Sequence, residues 1–216
     1  MDYQNYENQA PVPYQPPVQS HSFSERVLGA LKLERPIFDE VRRDTNAMTQ
    51  AAILIVVTGF ASGLGTYYGD SNQSVTIDDR TYEIGRSVAA AIVGGLVNIV
   101  IALIAWVVIS LIYRFVALRM LGSTETNIQW QEVARPVGFA AAPGLLSLFT
   151  PIPILGGLLS FIGGIWAFAA SIVALSETFR VSKWRAFGII VVSVIAIGLV
   201  IGILGCICVL AILAIA

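Results

Sequence analysis

The sequence predicts an all-α membrane protein: a five-transmembrane-helix bundle with a cytosolic amphipathic lead-in and a disordered N-terminal tail. Three observations predict it. Of 216 residues, 56% are hydrophobic and 12% charged, about half the charge density of a soluble domain (about 25%). Mean hydropathy is +0.76, so the apolar residues cannot all hide in a water-soluble core. Five apolar runs follow one another between short polar connections, and basic residues gather on alternate connections. The net charge of -1 gives no reason to expect nucleic-acid binding.

Residues 1–22 are rich in Gln, Pro, Asn and Tyr. Such a segment cannot bury enough apolar surface to offset its ordering entropy, which predicts a disordered tail. Its PVPYQPPV core has polyproline spacing. Residues 23–46 form the lead-in to a membrane domain at 47–216. In SERVLGALKLERP, Val27, Leu28 and Leu31 share a helical face, with Glu25, Arg26, Lys32 and Glu34 elsewhere. Pro36 suits the first turn of a second short helix, whose Ile37, Phe38 and Val41 face one way. Two placements stay open for these helices: lying in the headgroup layer, or packed on the cytosolic ends of the spans.

The spans are expected at about 48–67, 87–118, 137–150, 154–175 and 186–214. The first has the roughly 20 residues that a hydrocarbon layer of about 30 Å requires. It carries Gly59-x-x-x-Gly63 and ends at Tyr67-Tyr68, aromatic residues suited to an interface. A polar loop follows to Arg86. The second run is over-long and must tilt or project; Arg114 and Arg119 at its end can snorkel to the headgroups. Its interior polar residue is Asn98.

The third run has only about 14 residues, some 21 Å as a helix, and Pro143-Gly144 interrupts it. It either starts earlier, with Glu132 and Arg135 in the headgroups, or enters partway and turns back. The turn Pro151-Ile152-Pro153 then folds the chain into the fourth run. There Gly156, Ser160, Gly163, Ala167, Ala170 and Ala174 form a heptad-like seam of small residues, with Gly164 beside it. Lipid-embedded helices associate by close packing, and such a seam permits it. The fifth run contains Gly198-x-x-x-Gly202. Cys206 and Cys208, within that run, read as small buried residues.

With five spans, Arg26, Lys32, Arg35, Arg42 and Arg43 share a side with Arg114, Arg119, Arg135, Arg180, Lys183 and Arg185. Only Arg80 and Arg86 fall opposite. Eleven against two places the N-terminus in the cytoplasm and the C-terminus outside or in the lumen. A re-entrant third run would reduce the bias to eight against five, so five crossings is the better expectation.

Chemistry is sparse at bilayer depth. No His, Asp or Glu lies within an apolar run, and there is no HExxH motif. The intramembrane serines lack a base, so no catalytic residue, cofactor or metal is expected. Asn98 reads as a bridge between helices. Gly59, Gly63, Asn98, Pro143, Gly144, Pro151, Pro153, Gly156, Ser160, Gly163, Gly164, Ala167, Gly198 and Gly202 are therefore expected to shape the fold and its packing.

The lead-in RVLGALKLERPIFDEVRRD, the small-Pro-Gly segment, the Pro hairpin, Gly163-Gly164-Ile165-Trp166 and the basic turn before the last span together resemble the prokaryotic branch of the Yip family, named for Ypt/Rab-interacting membrane proteins. The resemblance runs from about Arg26 to Leu213. It implies five spans, a cytosolic N-terminus and a non-enzymatic protein; eukaryotic members are adaptors of membrane traffic that engage small GTPases. Their acidic Asp-Leu-Tyr-Gly-Pro motif is not present, and Phe38-Asp39-Glu40 is too loose a counterpart to support a GTPase partner. The expected function is a multi-pass cell-membrane scaffold or adaptor in the bilayer, self-associating or bound to another membrane protein. The alternative is a small transporter or channel using Asn98 and the broken third run.

Overall fold

The computed structural model describes residues 21–69, 74–77, 80–83, 88–122, 128–150, 152 and 154–215. Two short helices, α1 (Phe23–Leu31) and α2 (Arg35–Arg43), precede the long α3 (Ala47–Gly69) and α4 (Val88–Leu121). Next come α5 (Trp130–Ala140), a 3-10 segment (Ala142–Phe149), α6 (Leu155–Thr178) and α7 (Lys183–Ile215). Four of these helices, α3, α4, α6 and α7, are long and apolar enough to cross a membrane. The polar connection between α3 and α4 holds a two-stranded antiparallel ribbon, β1 (Ser74–Ile77) and β2 (Arg80–Glu83), paired Val75 to Tyr82. Residues 1–20, together with Pro151 and Pro153, lie outside the described residues, and with them the tail and the proline frame of the hairpin turn.

Local chemistry sets the ends of the lead-in. Ser22 caps α1 in a capping box: the Glu25 amide donates to its hydroxyl, and the Glu25 carboxylate accepts from the Ser22 amide at 2.8 Å. Ser22 therefore belongs to the helical unit and not to the tail. At the other end Leu33 takes φ 61°, and the Glu34 amide donates to Gly29 O at 2.9 Å. That is the bonding of a Schellman-type stop, made without the usual glycine. Pro36 sits in the first turn of α2 and supplies a fixed φ where no amide is needed.

The third expected span differs most from its sequence reading. It begins seven residues earlier, at Trp130, and contains Pro136. It passes into the 3-10 segment at Ala142, with Pro143 in that segment's first turn. Ala51 meets Gly138, Thr58 meets Gly144 and Ser62 meets Ser147, so α5 and the 3-10 segment run alongside α3 in the same direction. The α4 helix runs opposite to α3, with Gly59 against Ala102 and Gly63 against Gly95. The α6 helix returns along the 3-10 segment, with Gly163 against Pro143 and Leu146.

Two buried clusters sit at the end of the bundle where α3 begins. One joins Ile37, Phe38 and Val41 of α2 to Ala51, Trp106, Phe139 and Ala174. The other joins Val116 and Ala117 of α4 to Val133, Leu175, Phe179, Ala186 and Ile189. Farther along α7 the apolar side chains stand exposed, Leu199 and Ile201 among them. Cys206 is exposed too, so the expectation of a small buried residue is corrected there. Exposed Val93, Ile104 and Phe161 on α4 and α6 complete the outer surface a bilayer would cover.

Candidate functional site

The lead-in resolves one open alternative: α1 and α2 pack on the helix ends as a cap. Phe38 and Val41 are fully buried, and Phe23 meets Phe139 edge-on with ring centroids 6.3 Å apart. Trp166 of α6 donates its indole N–H to the Leu31 carbonyl at 2.8 Å, closing an orphan acceptor at the end of α1. Gly29 lets the two short helices touch; a Cβ there would lie 2.5 Å from Ile37.

Charged side chains lock the cap. Arg26 is 2% exposed. Its Nε and Nη2 donate to Glu40 Oε1 at 2.9 and 2.7 Å, and Nη1 donates to Gln50 of α3 at 2.9 Å. Asp44 adds a second carboxylate 2.7 Å from Nη2. Burial pushes the guanidinium pKa down, but the bonds to Glu40 and Asp44 push it further up, so the charge is held. For Glu40, burial raises the carboxyl and the bonds from His21 and Arg26 outweigh it, leaving a net lowering. Asp44 is likewise lowered against burial, by the Asn46 amide and Arg26. Together with His21, Arg43, Asn46 and Gln50 these groups line a polar notch of about 470 Å³.

A second set ties α2 to the long helices. Asp39 pairs with Arg42, Arg43 and, at 2.6 Å, with Arg180 beyond α6. Arg42 reaches Glu132 of α5 at 3.2 Å, and Arg35 reaches Glu177 of α6 at 3.5 Å. Arg135, almost fully buried, donates to the Arg42 carbonyl at 2.8 Å, serving one of the free acceptors at the end of α2. Phe38-Asp39-Glu40 is thus spent inside the molecule: the ring is buried and both acids are paired. Arg26 escaped the sequence reading because a lone cation on a short amphipathic helix looks solvated. The available signal was Glu40 and Asp44, four residues apart, the first on the next helix and the second just past its end.

At bilayer depth the singled-out residues fall into two groups. Gly59 and Gly63 face α4, where a Cβ on Gly63 would lie 2.6 Å from Gly95 Cα. Asn98 donates to the Gly59 carbonyl at 2.9 Å. Gly156 lies against Phe149 and Thr150, Ser160 bonds Thr150 at 2.8 Å, and Pro143 and Gly144 face α6 and α3 respectively. Ser110, Ser171 and Ser193 donate to carbonyls four residues back in their own helices. Gly164, Gly198 and Gly202 meet nothing within 4 Å. Ala167 lines an apolar groove between α4 and α6 with Ala102, Ile109 and Phe168.

Long apolar helices with lipid-type outer faces, joined at one end by a charge-locked helical cap, define a multi-pass membrane protein. The Yip1 domain profile matches residues 31–205, and the chain belongs to the Yip1 domain family. No curated protein and no solved structure gives a significant match.

Proposed function

We propose that this chain is a non-enzymatic membrane scaffold or adaptor that works through helix packing. It crosses the bilayer five times, with the N-terminus and cap in the cytoplasm and the C-terminus outside or in the lumen. The observation that carries this reading is how the polar groups at bilayer depth are used. Asn98 bonds a glycine carbonyl, and the hydroxyls bond helix backbone or one another. These are packing bonds, whereas a transport path needs polar groups left facing a cavity. Meanwhile Gly164, Gly198 and Gly202 lie open on apolar helices, as surfaces that a second helix could approach.

Crosslinking in native membranes, followed by affinity purification in mild detergent, tests the proposal. A crosslinked homo-oligomer or a co-purifying membrane protein is the expected result. Monomers alone, with no companion, would overturn it. Asn98→Leu separates the transporter alternative, because a transporter would lose flux while remaining folded.

A further inference from the structure

Where α6 turns into α7, an apolar slot of about 400 Å³ is walled by Leu33, Ala169, Ile172, Val173 and Phe187, with Lys183 and Trp184 at its edge. Three elements build it. Leu33, held at φ 61°, brings the α1–α2 turn in as one wall. The aromatic side is stiffened edge-on, Trp184 to Phe187 at 6.2 Å and Phe187 to Phe168 at 6.1 Å. Trp184 is 83% exposed, an unusual cost in water but the normal place for an indole at a membrane interface.

The geometry points to a binding site for one anionic phospholipid, an acyl chain in the slot and the phosphate beside Lys183. The slot's volume of about 400 Å³ equals a single turn of a helix 10 Å across, so a partner helix could seat no more than one turn there. Ile165 of α6 and Val192 of α7 are exposed apolar side chains of the kind a bilayer covers, on the same two helices that wall the slot. Charge selects the headgroup. Lys183 and Arg185 are exposed and form no ion pair with any described residue, while the nearby acids Glu177 and Asp39 are already paired with Arg35 and Arg180. A basic side chain at a membrane surface contributes about 1 kcal/mol towards an anionic headgroup, about fivefold in affinity.

Native mass spectrometry of the full chain in detergent, titrated separately with dioleoylphosphatidylglycerol and dioleoylphosphatidylcholine, tests the site. The wild type should retain phosphatidylglycerol about fivefold or more better than phosphatidylcholine. Lys183→Gln should lower that preference about fivefold, leaving what Arg185 contributes, and Ala169→Phe should reduce retention of both lipids by filling the slot. Equal retention by the wild type, or an unchanged preference in Lys183→Gln, would overturn the site. So would displacement of the lipid by soluble glycerol 3-phosphate, which would mark a free-phosphate site. Lys183 is exposed, so its variant keeps the test decisive even if Ala169→Phe does not fold. The readout needs only the isolated chain, and its failure would leave the scaffold reading untouched.

Discussion

Arg26 of α1 places two of its guanidinium nitrogens on one oxygen of Glu40, across the turn that joins α1 to α2. The pair is nearly shut off from solvent, with the arginine 2% and the glutamate 10% exposed. Leaving one member of a buried pair without the other is expensive, about 3–5 kcal/mol. Arg26→Ala should therefore release the cap: limited proteolysis should cut between α1 and α3 in the variant and not in the wild type. A matching loss of thermal stability in detergent is expected. Replacing Arg26 and Glu40 together by apolar residues should restore part of the loss, because the acid left behind, Asp44, is a quarter exposed and keeps the Asn46 amide as a donor.

The same cluster sets an acid limit. Glu40 and Asp44 are held below their ordinary pKa values in the folded chain. Groups with depressed folded values contribute stability above the unfolded value, about 4.3 for Glu and 3.9 for Asp. That contribution is lost as pH falls through the lower folded values. The cap should thus loosen as pH falls from about 5 towards 3. Thermal unfolding followed across that range checks it, and Glu40→Gln should flatten the acid dependence.

The cap shows what was legible in the sequence and what was not. The apolar face Ile37, Phe38 and Val41 can be read from spacing alone, because helical periodicity is local. Arg26 cannot, since its partners lie on α2 and α3, and only the tertiary fold decides that the charge is buried. The earlier start of α5 was one of two readings the sequence left open, for a related reason. Glu132 and Arg135 make the stretch before Val137 look like a polar connection. In the structure Glu132 meets Arg42, and Arg135 meets the Arg42 carbonyl, so α2 satisfies the charges that would otherwise stop an apolar helix. Among the glycines, the motif identifies candidates but not partners: Gly63 has α4 against it, and Gly198 has nothing.

That contrast gives a paired test. Gly63→Leu must push Gly95 and Asn98 away, and overpacking of this kind typically costs about 1–3 kcal/mol. Gly198→Leu meets open space and should leave the isolated chain's unfolding temperature unchanged. If α7 packs on a neighbour in the membrane, Gly198→Leu should instead weaken crosslinking. Equal destabilisation by both substitutions would show that the α3–α4 contact is not closely packed.

Asn98 should prove modest in energy. Its one bond to the Gly59 carbonyl is of a kind worth about 0.6 kcal/mol on average in membrane bundles. Asn98→Leu should shift unfolding only slightly, and less than Gly63→Leu. A large loss would mean that the amide does more than bridge α3 to α4.

The last prediction concerns which face of the membrane the α6–α7 turn occupies. The 11 residues of α5 and the 8 of the 3-10 segment together extend about 32 Å at 1.5 and 2.0 Å per residue. A hydrocarbon layer is about 30 Å thick, so the proposed crossing draws on the residues before Val137 and on the greater 3-10 rise, because the 14 apolar residues alone reach about 21 Å as an α-helix. Its course beside α3, from Ala51 and Gly138 to Ser62 and Ser147, puts Ile152 at the opposite end from the cap. Ser182 returns to the cap end, because Arg180 is bonded to Asp39. Both positions are exposed and suit labelling. With the cap in the cytoplasm, Ile152→Cys should react with a membrane-impermeant thiol reagent in intact cells, measured in a background lacking Cys206 and Cys208. Ser182→Cys should react only after the membrane is opened. Labelling of Ser182→Cys in intact cells would mean that the third segment turns back or that the whole chain is inverted. Ile152→Cys is silent in both of those outcomes; a cysteine in the cap at the exposed Ser24 separates them, since only inversion makes Ser24→Cys react in intact cells.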